Sequence, residues 1–193
     1  MTIRFAATTV LAGISALALT ACGQEPTPAE TDMAAETEMD MPAEEPMTQT
    51  ATAVLNDTNG NEVGTVTATG SGETLMLSIN AMGMPEGEHG AHIHTTGDCS
   101  ASDFTSAGGH WNPTDVNHGT ESADPNPHAG DLPNLTIAAD GTGSMEGTST
   151  GTFEGLMDAD GSAFVIHADP DDYESQPSGD AGARIACGVF TAS

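Results

Sequence analysis

Leu75, Leu77 and Ile79 alternate with Thr74, Met76 and Ser78, and this period of two constrains the fold more than any other feature of the chain. Successive side chains of a strand point to opposite faces, so the pattern describes a strand with one buried and one solvated side. Short runs of similar character occur at 52–55, 62–69, 135–138, 163–167 and 185–190, and no segment carries a convincing helical period. Asn59-Gly60, Asp140-Gly141 and Asp160-Gly161 predict hairpin turns, because both central residues of a type I′ turn need positive φ. Gly/Pro/Asp-rich excursions at 95–133 and 168–183 would then be long loops. The expectation is an all-β domain, an antiparallel barrel or sandwich whose loops carry function. No internal repeat is evident.

The first fifty residues belong to a different class. Arg4 precedes an uncharged stretch from Phe5 to Ala21 that is short and rich in Ala and Thr for a membrane span, the pattern of a signal peptide over residues 1–21. Residues 22–50 hold four prolines, eight acidic residues and essentially no Val, Ile, Leu or aromatics, so a disordered acidic tether is expected. Its methionines, Met33, Met39, Met41 and Met47, are weighed as soft copper ligands against the plainer reading of a low-complexity spacer, which is preferred. The remaining 51–193 is long enough for one domain. Its charge is lopsided: the chain has no lysine, only Arg4 and Arg184 as cations, and a formal charge of −27. Nucleic acid, which needs cations at its phosphates, is thereby disfavoured as a partner, and so is an anionic membrane surface.

Six of the seven histidines fall in four short motifs. These are Gly90-Ala91-His92-Ile93-His94, Gly108-Gly109-His110-Trp111-Asn112-Pro113, His118-Gly119 with His128-Ala129-Gly130-Asp131, and Val165-Ile166-His167-Ala168. Imidazole, mostly uncharged near neutral pH, is the commonest protein ligand for borderline metals. His92 and His94 share one face of a strand and can grip one metal, and His167 would bring a further ligand from a distant strand. His110, His118, His128 and Asp131 lie on the long loop, and an N3O set of this kind suits structural zinc. Six imidazoles and a carboxylate exceed the needs of one metal, so two sites are expected. His89 is read as outside both.

These motifs, with Leu132-Pro133-Asn134 and Gly182-Ala183-Arg184-Ile185-Ala186-Cys187-Gly188-Val189, resemble the copper/zinc superoxide dismutase family in its bacterial secreted form, over roughly 51–193. The resemblance implies an eight-stranded antiparallel Greek-key β-barrel, an immunoglobulin-like sandwich with long metal-binding and channel loops. It implies copper at His92, His94, His110 and His167, and zinc at His110, His118, His128 and Asp131, with His110 bridging the two. The implied reaction is dismutation of superoxide to dioxygen and hydrogen peroxide, with Arg184 as anion guide beside the copper. Asp171, with Asp172 as its rival, occupies the place of an acidic link between a copper and a zinc histidine. The family also joins the equivalents of Cys99 and Cys187 in a disulfide, which suits a secreted protein. Leu19-Thr20-Ala21-Cys22 resembles the bacterial lipoprotein box, which implies cleavage before Cys22, a lipid on that residue, and a position on the periplasmic face of the cell envelope as monomer or homodimer.

Two departures and two rival functions follow from the same residues. The family lines its channel with lysines and this chain has none, while the expected channel segment carries Asp171, Asp172, Glu174 and Asp180. Trp111 stands where the family has phenylalanine. The alternatives to an enzyme are a non-catalytic cell-envelope lipoprotein that buffers copper and zinc, and an adhesive protein whose metals only stabilise it. The lipid box yields a direct prediction. Cys22→Ser should move the protein from membranes to the soluble fraction with its specific activity unchanged. Wild-type protein recovered in the soluble fraction after gentle lysis would overturn the anchor.

Overall fold

The computed structural model describes residues 48–119 and 127–193, so the signal segment, Cys22 and the tether methionines lie outside the described residues. Ten strands follow in order: β1 (Gln49–Asp57), β2 (Glu62–Ser71), β3 (Thr74–Ala81), β4 (Gly87–His89), β5 (Ala91–His94), β6 (Leu135–Ile137), β7 (Gly143–Ser149), β8 (Ala163–His167), β9 (Arg184–Val189) and β10 (Thr191–Ala192). β1 thus begins two residues before the expected domain boundary at 51. All pairings are antiparallel. The main sheet runs β5-β8-β9-β1-β2-β3-β7, with the short β10 beside β1, while β4 pairs with β6. β4 and β5 are one strand interrupted at Gly90, and β10 continues β9 along β1, pairing with Ala51 and Thr52. Eight principal strands remain, and they curl into the expected Greek-key barrel. Its crossovers place β7 beside β3 and β9 beside β1.

The pleat explains the core. Ala51, Ala53 and Leu55 of β1, Val66 and Ala68 of β2, and Leu75, Leu77 and Ile79 of β3 all point inward and are buried. Ile93, Phe164, Ile166 and Ala186 close the same core from the other side of the barrel. β5 and β8 differ from the rest because they are buried on both faces. Their outward side chains lie under the long loops. A second small cluster of Phe104, Ala107, Ala163, Val165 and Cys187 fills part of that outer space. Cys99 and Cys187 are bonded across a sequence separation of 88, which pins the loop after β5 to β9. Closing a loop of this length contributes on the order of 4–5 kcal/mol in the chain-entropy model.

Three local expectations are corrected. Only the glycine takes positive φ at Asn59-Gly60 and at Asp140-Gly141, so neither turn is type I′. At the first, the Asp57 carboxylate accepts the Asn59 and Asn61 N–H groups at 2.8 and 2.9 Å and closes a wider loop. Asp160-Gly161 joins no two neighbouring strands. It lies between β8 and a single helical turn, α1 (Phe153–Leu156), whose N-cap Thr152 accepts from Gly155 N–H at 3.1 Å. A four-residue helix is too short to leave a periodic trace in sequence. β7 also escaped the pattern, because its inward positions include Gly147 and Ser149 in place of large apolar residues.

Trp111 shows what the larger ring requires. Its indole is buried over Gly151 and Gly155, and a Cβ at Gly151 would collide with the ring. Gly151→Ala should therefore push the indole out of place and cost about 1–3 kcal/mol, the usual range for overpacking. A urea midpoint of the metal-free variant equal to that of wild type would show that the site relaxes freely.

Candidate metal centre

The outward faces of β5 and β8 supply the first histidines. His92, His94 and His167 alternate with the core residues Ile93 and Ile166, so packing of the apolar side fixes where the imidazoles point. The loop after β5 returns against that strand. Trp111 N–H donates to Ile93 O at 2.8 Å and Ile93 N–H donates to Gly130 O at 2.9 Å. Isolated bridges pair His94 with His110 and His92 with Asp131. Gly130 can sit there because any Cβ would strike Ile93 O. These contacts carry His110, His128 and Asp131 to the histidines of the barrel wall.

Two ligand sets result, and they share one residue. His92, His94, His110 and His167 form one, and His110, His118, His128 and Asp131 the other; within each set one ligand atom per residue lies within 4.8 Å of the rest. Five imidazoles are anchored through a single nitrogen. His92 Nε2–H and His118 Nε2–H donate to the two Asp171 oxygens at 2.7 and 3.0 Å, so Asp171 spans both sets. His94 Nδ1–H donates to Gly108 O at 2.9 Å, His167 Nδ1–H to Gly182 O at 3.3 Å and His128 Nε2–H to Val116 O at 3.1 Å. Anchoring one ring nitrogen turns the other toward the middle of the set, as metal-binding histidines require. Asp131 Oδ1 lies 2.8 Å from His110 Nδ1 and 3.2 Å from His128 Nδ1, and its Oδ2 lies 2.9 Å from His118 Nδ1. Asp172 takes no part. It accepts from the Glu174 and Ser175 N–H groups at 2.9 and 2.8 Å and shapes the loop. His89 is buried elsewhere, with its nitrogens 2.8 Å from His167 O and 3.0 Å from Pro85 O.

The test of fit for metals is which buried atoms remain without a partner. His92 Nδ1, His110 Nε2, His118 Nδ1 and His128 Nδ1 are buried with no hydrogen bond. A buried polar atom left unsatisfied costs about 1–3 kcal/mol. Apart from the Ser162 hydroxyl, the unpartnered buried side-chain atoms among the described residues are these four imidazole nitrogens, each belonging to a ligand set, which is where a metal would take their lone pairs. The donor chemistry agrees: one set is all nitrogen and the other adds a carboxylate.

Comparison with known proteins decides the family. The family model for copper/zinc superoxide dismutase matches residues 62–190. The chain belongs to the copper/zinc superoxide dismutase family. A copper/zinc superoxide dismutase of Caulobacter vibrioides is 43% identical over 72% of this chain and 84% of its own length. A crystal structure of a mutant of a SOD-like protein from Bacillus subtilis superposes with a TM-score of 0.67 at 39% identity, covering 72% of this chain and 95% of that one. The Cu/Zn superoxide dismutase of Brucella abortus gives a TM-score of 0.61 at 28% identity, over 74% of this chain and 99% of that one.

Electrostatics separate the two sets within this family member. Burial pushes His94 down to about 2 and both His110 and His167 to about 4, and it lowers His92 as well. The first set is therefore uncharged at neutral pH and ready to ligate. Burial also opposes charge on His118, but Asp131 and Asp171 outweigh it and raise that histidine to about 9. Burial would raise both carboxyls, yet the hydrogen bonds they accept hold Asp131 and Asp171 well below the ordinary carboxylate range.

A cavity of about 430 Å³ opens onto His94, His110 and His167, and its wall includes Arg184, Gln176 and Pro177. Arg184 donates from Nη1 to Phe104 O and from Nη2 to Gly108 O, both at 2.6 Å. Sequence reasoning placed Arg184 but not these carbonyls, because a backbone acceptor leaves no mark in residue identity. It also gave no role to Gln176, a neutral amide in an acidic loop.

The shared residue yields a prediction. His110→Ala should disturb both copper and zinc binding, whereas His128→Ala should mainly weaken zinc. Metal analysis and the copper absorption spectrum of each variant test this. A His110→Ala protein with wild-type spectrum and zinc content would overturn the bridge.

Proposed function

We propose that the chain dismutates superoxide to dioxygen and hydrogen peroxide. Copper would be held by His92, His94, His110 and His167, and zinc by His110, His118, His128 and Asp131. The observation that carries this reading is the pair of sets sharing His110, with a cavity that reaches the all-nitrogen set beside Arg184, the one arginine among the described residues. When bound, copper supplies one-electron redox chemistry and zinc supplies fixed charge and geometry. The residues do the rest. His94 and His167 present Nε2 atoms 3.4 Å apart, held by the Gly108 and Gly182 carbonyls. His110 Nδ1 lies 2.8 Å from Asp131 Oδ1 while its Nε2 is unpaired, so it is the residue that would hold or give up a proton between the two sets. Arg184 faces the cavity with its orientation set by two carbonyls, and would attract and align an anion there.

Two features favour an enzyme over a metal buffer. The all-nitrogen ligand set is complete, and a store for metal needs neither an open cavity beside it nor a positioned guanidinium. The family relationship also fits export, as does the disulfide. We further place the mature protein on the periplasmic face, tethered through a lipid on Cys22 and an acidic linker, as monomer or homodimer. Cleavage before Cys22 would remove Arg4 and take the formal charge from −27 to −28.

Fully loaded protein should contain one copper and one zinc per chain and accelerate superoxide decay. Two metals without activity would instead support the buffering role. Arg184→Ala should lower kcat/KM by roughly ten-fold or more at unchanged metal content, since local focusing is worth about 10–10³ in on-rate. Added salt should slow the wild type only weakly, because screening removes distant repulsion together with local attraction. A steep fall in rate with ionic strength, or an Arg184→Ala variant as fast as wild type, would remove Arg184 from this role.

A further inference from the structure

His118 is gripped by the channel loop 168–183 in a way no other residue of the zinc set is. Its ring nitrogen Nε2 donates to Asp171, as described. Its backbone is held separately: His118 N–H donates to Gln176 Oε1 at 2.8 Å, and Gln176 Nε2 donates to His118 O at 2.9 Å. A side-chain amide thus pairs with both polar groups of one residue, as a neighbouring strand would. Gln176 Nε2 also donates to Glu174 O at 3.0 Å, which ties the amide into its own loop. The contrast with His128 is clear. That residue is held by Asp131 and the Val116 carbonyl, both outside the channel loop.

Gln176 also has a second side. Together with Pro177 and Ser178 it lines the cavity that exposes His94, His110, His167 and Arg184. One residue therefore contacts the backbone of a zinc-set histidine and forms part of the wall through which an anion would enter. We propose that Gln176 is a positioning residue that couples the zinc set to the shape of the anion-access cavity. Filling the zinc set fixes His118, the amide pair carries that order to 174–178, and the wall beside Arg184 is held in place. By linkage, an anion in the cavity must favour zinc retention by the same factor that zinc favours the anion. This rests on the zinc assignment under the proposed function.

The test uses the mature protein with copper alone and with copper plus zinc. Two quantities are read: zinc affinity by competition with a chromogenic chelator, and azide affinity from the copper absorption band. Azide serves as a small anionic probe, so neither readout depends on turnover. In wild type, zinc should strengthen azide binding several-fold. Gln176→Leu keeps the bulk but loses all three hydrogen bonds, and should weaken zinc about ten-fold, the lower range for partners of metal ligands. It should also abolish most of the zinc effect on azide. Gln176→Glu retains an acceptor for His118 N–H while losing the donor, and should fall between the two. It also serves as the test if the Leu variant does not fold.

Zinc affinity within two-fold of wild type in the variant that folds would overturn the coupling, as would an azide response to zinc unchanged from wild type. A merely structural role would lower the urea midpoint of the metal-free protein yet leave that response intact, and this too counts against the proposal. Failure of the wild type to bind zinc would refute the site assignment and the coupling together. Normal wild-type zinc binding with a silent Gln176→Leu would refute the coupling alone.

Discussion

A strand has two faces, and in β5 and β8 both are committed. Ile93, Phe164 and Ile166 turn into the barrel, and that choice sends His92, His94 and His167 outward. A slip of one residue in either strand would exchange the faces, placing imidazoles in the apolar core and aliphatic side chains at the site. The hydrophobic effect therefore aims the metal-binding groups without touching them. Yet β5 and β8 are fully buried, so their outer faces need a cover. The described parts of 95–133, with 168–183, provide it, and the remaining ligands arrive with the cover. The barrel supplies direction and the loops supply completion.

Covering such a face is costly, because every buried polar atom needs a partner. The network meets this demand one nitrogen at a time. Asp171 serves two imidazoles, and the Gly108, Gly182 and Val116 carbonyls serve one each. Asp131 is crowded by three rings, and its Oδ2 also accepts the Gly119 and His128 N–H groups at 3.0 and 3.1 Å. The four nitrogens left over are the ones that a metal would satisfy. Metal affinity and fold stability are then parts of one free energy, because the unfolded chain holds no preformed site. The structure is most stable when the atoms it cannot satisfy internally are satisfied by what it binds.

The fold was legible in the sequence wherever a strand buries large residues on one side. Leu75, Leu77 and Ile79 announce β3 plainly, and Ala163–His167 is equally clear because both faces are covered. β7 was not legible, since Gly147 and Ser149 occupy its inward side and leave no alternation to read. The turns show the same limit. Gly60 and Gly141 marked where the chain reverses, but not that their neighbours would avoid positive φ. Within the site, histidine identity and spacing located all six imidazoles brought together here. Asp171 kept Asp172 as a rival in sequence because only the path of the loop decides which carboxylate reaches His92 and His118. The carbonyls of Phe104, Gly108 and Val116 were wholly silent, as any residue could supply them.

Gly108 O shows how much can depend on such a silent atom. It accepts from His94 Nδ1 at 2.9 Å and from Arg184 Nη2 at 2.6 Å, so one oxygen sets the position of a histidine of the all-nitrogen set and of the guanidinium beside it. Gly108 and Phe104 belong to the segment that the Cys99–Cys187 bond pins to β9. Arg184 is itself the first residue of β9. The disulfide and the two carbonyl contacts therefore close a short circuit, from β9 through the bond to the loop and back through the guanidinium to β9. In a chain this acidic, an arginine free to swing outward would find carboxylates to pair with, and its charge would be lost to the cavity. Fixing its fork on two carbonyls, which are neutral acceptors, holds the guanidinium at the cavity wall, although the Asp103 carboxylate still acts on its charge there. Under the proposed function, geometry at this one position would do the work that a surrounding field of lysines would otherwise share.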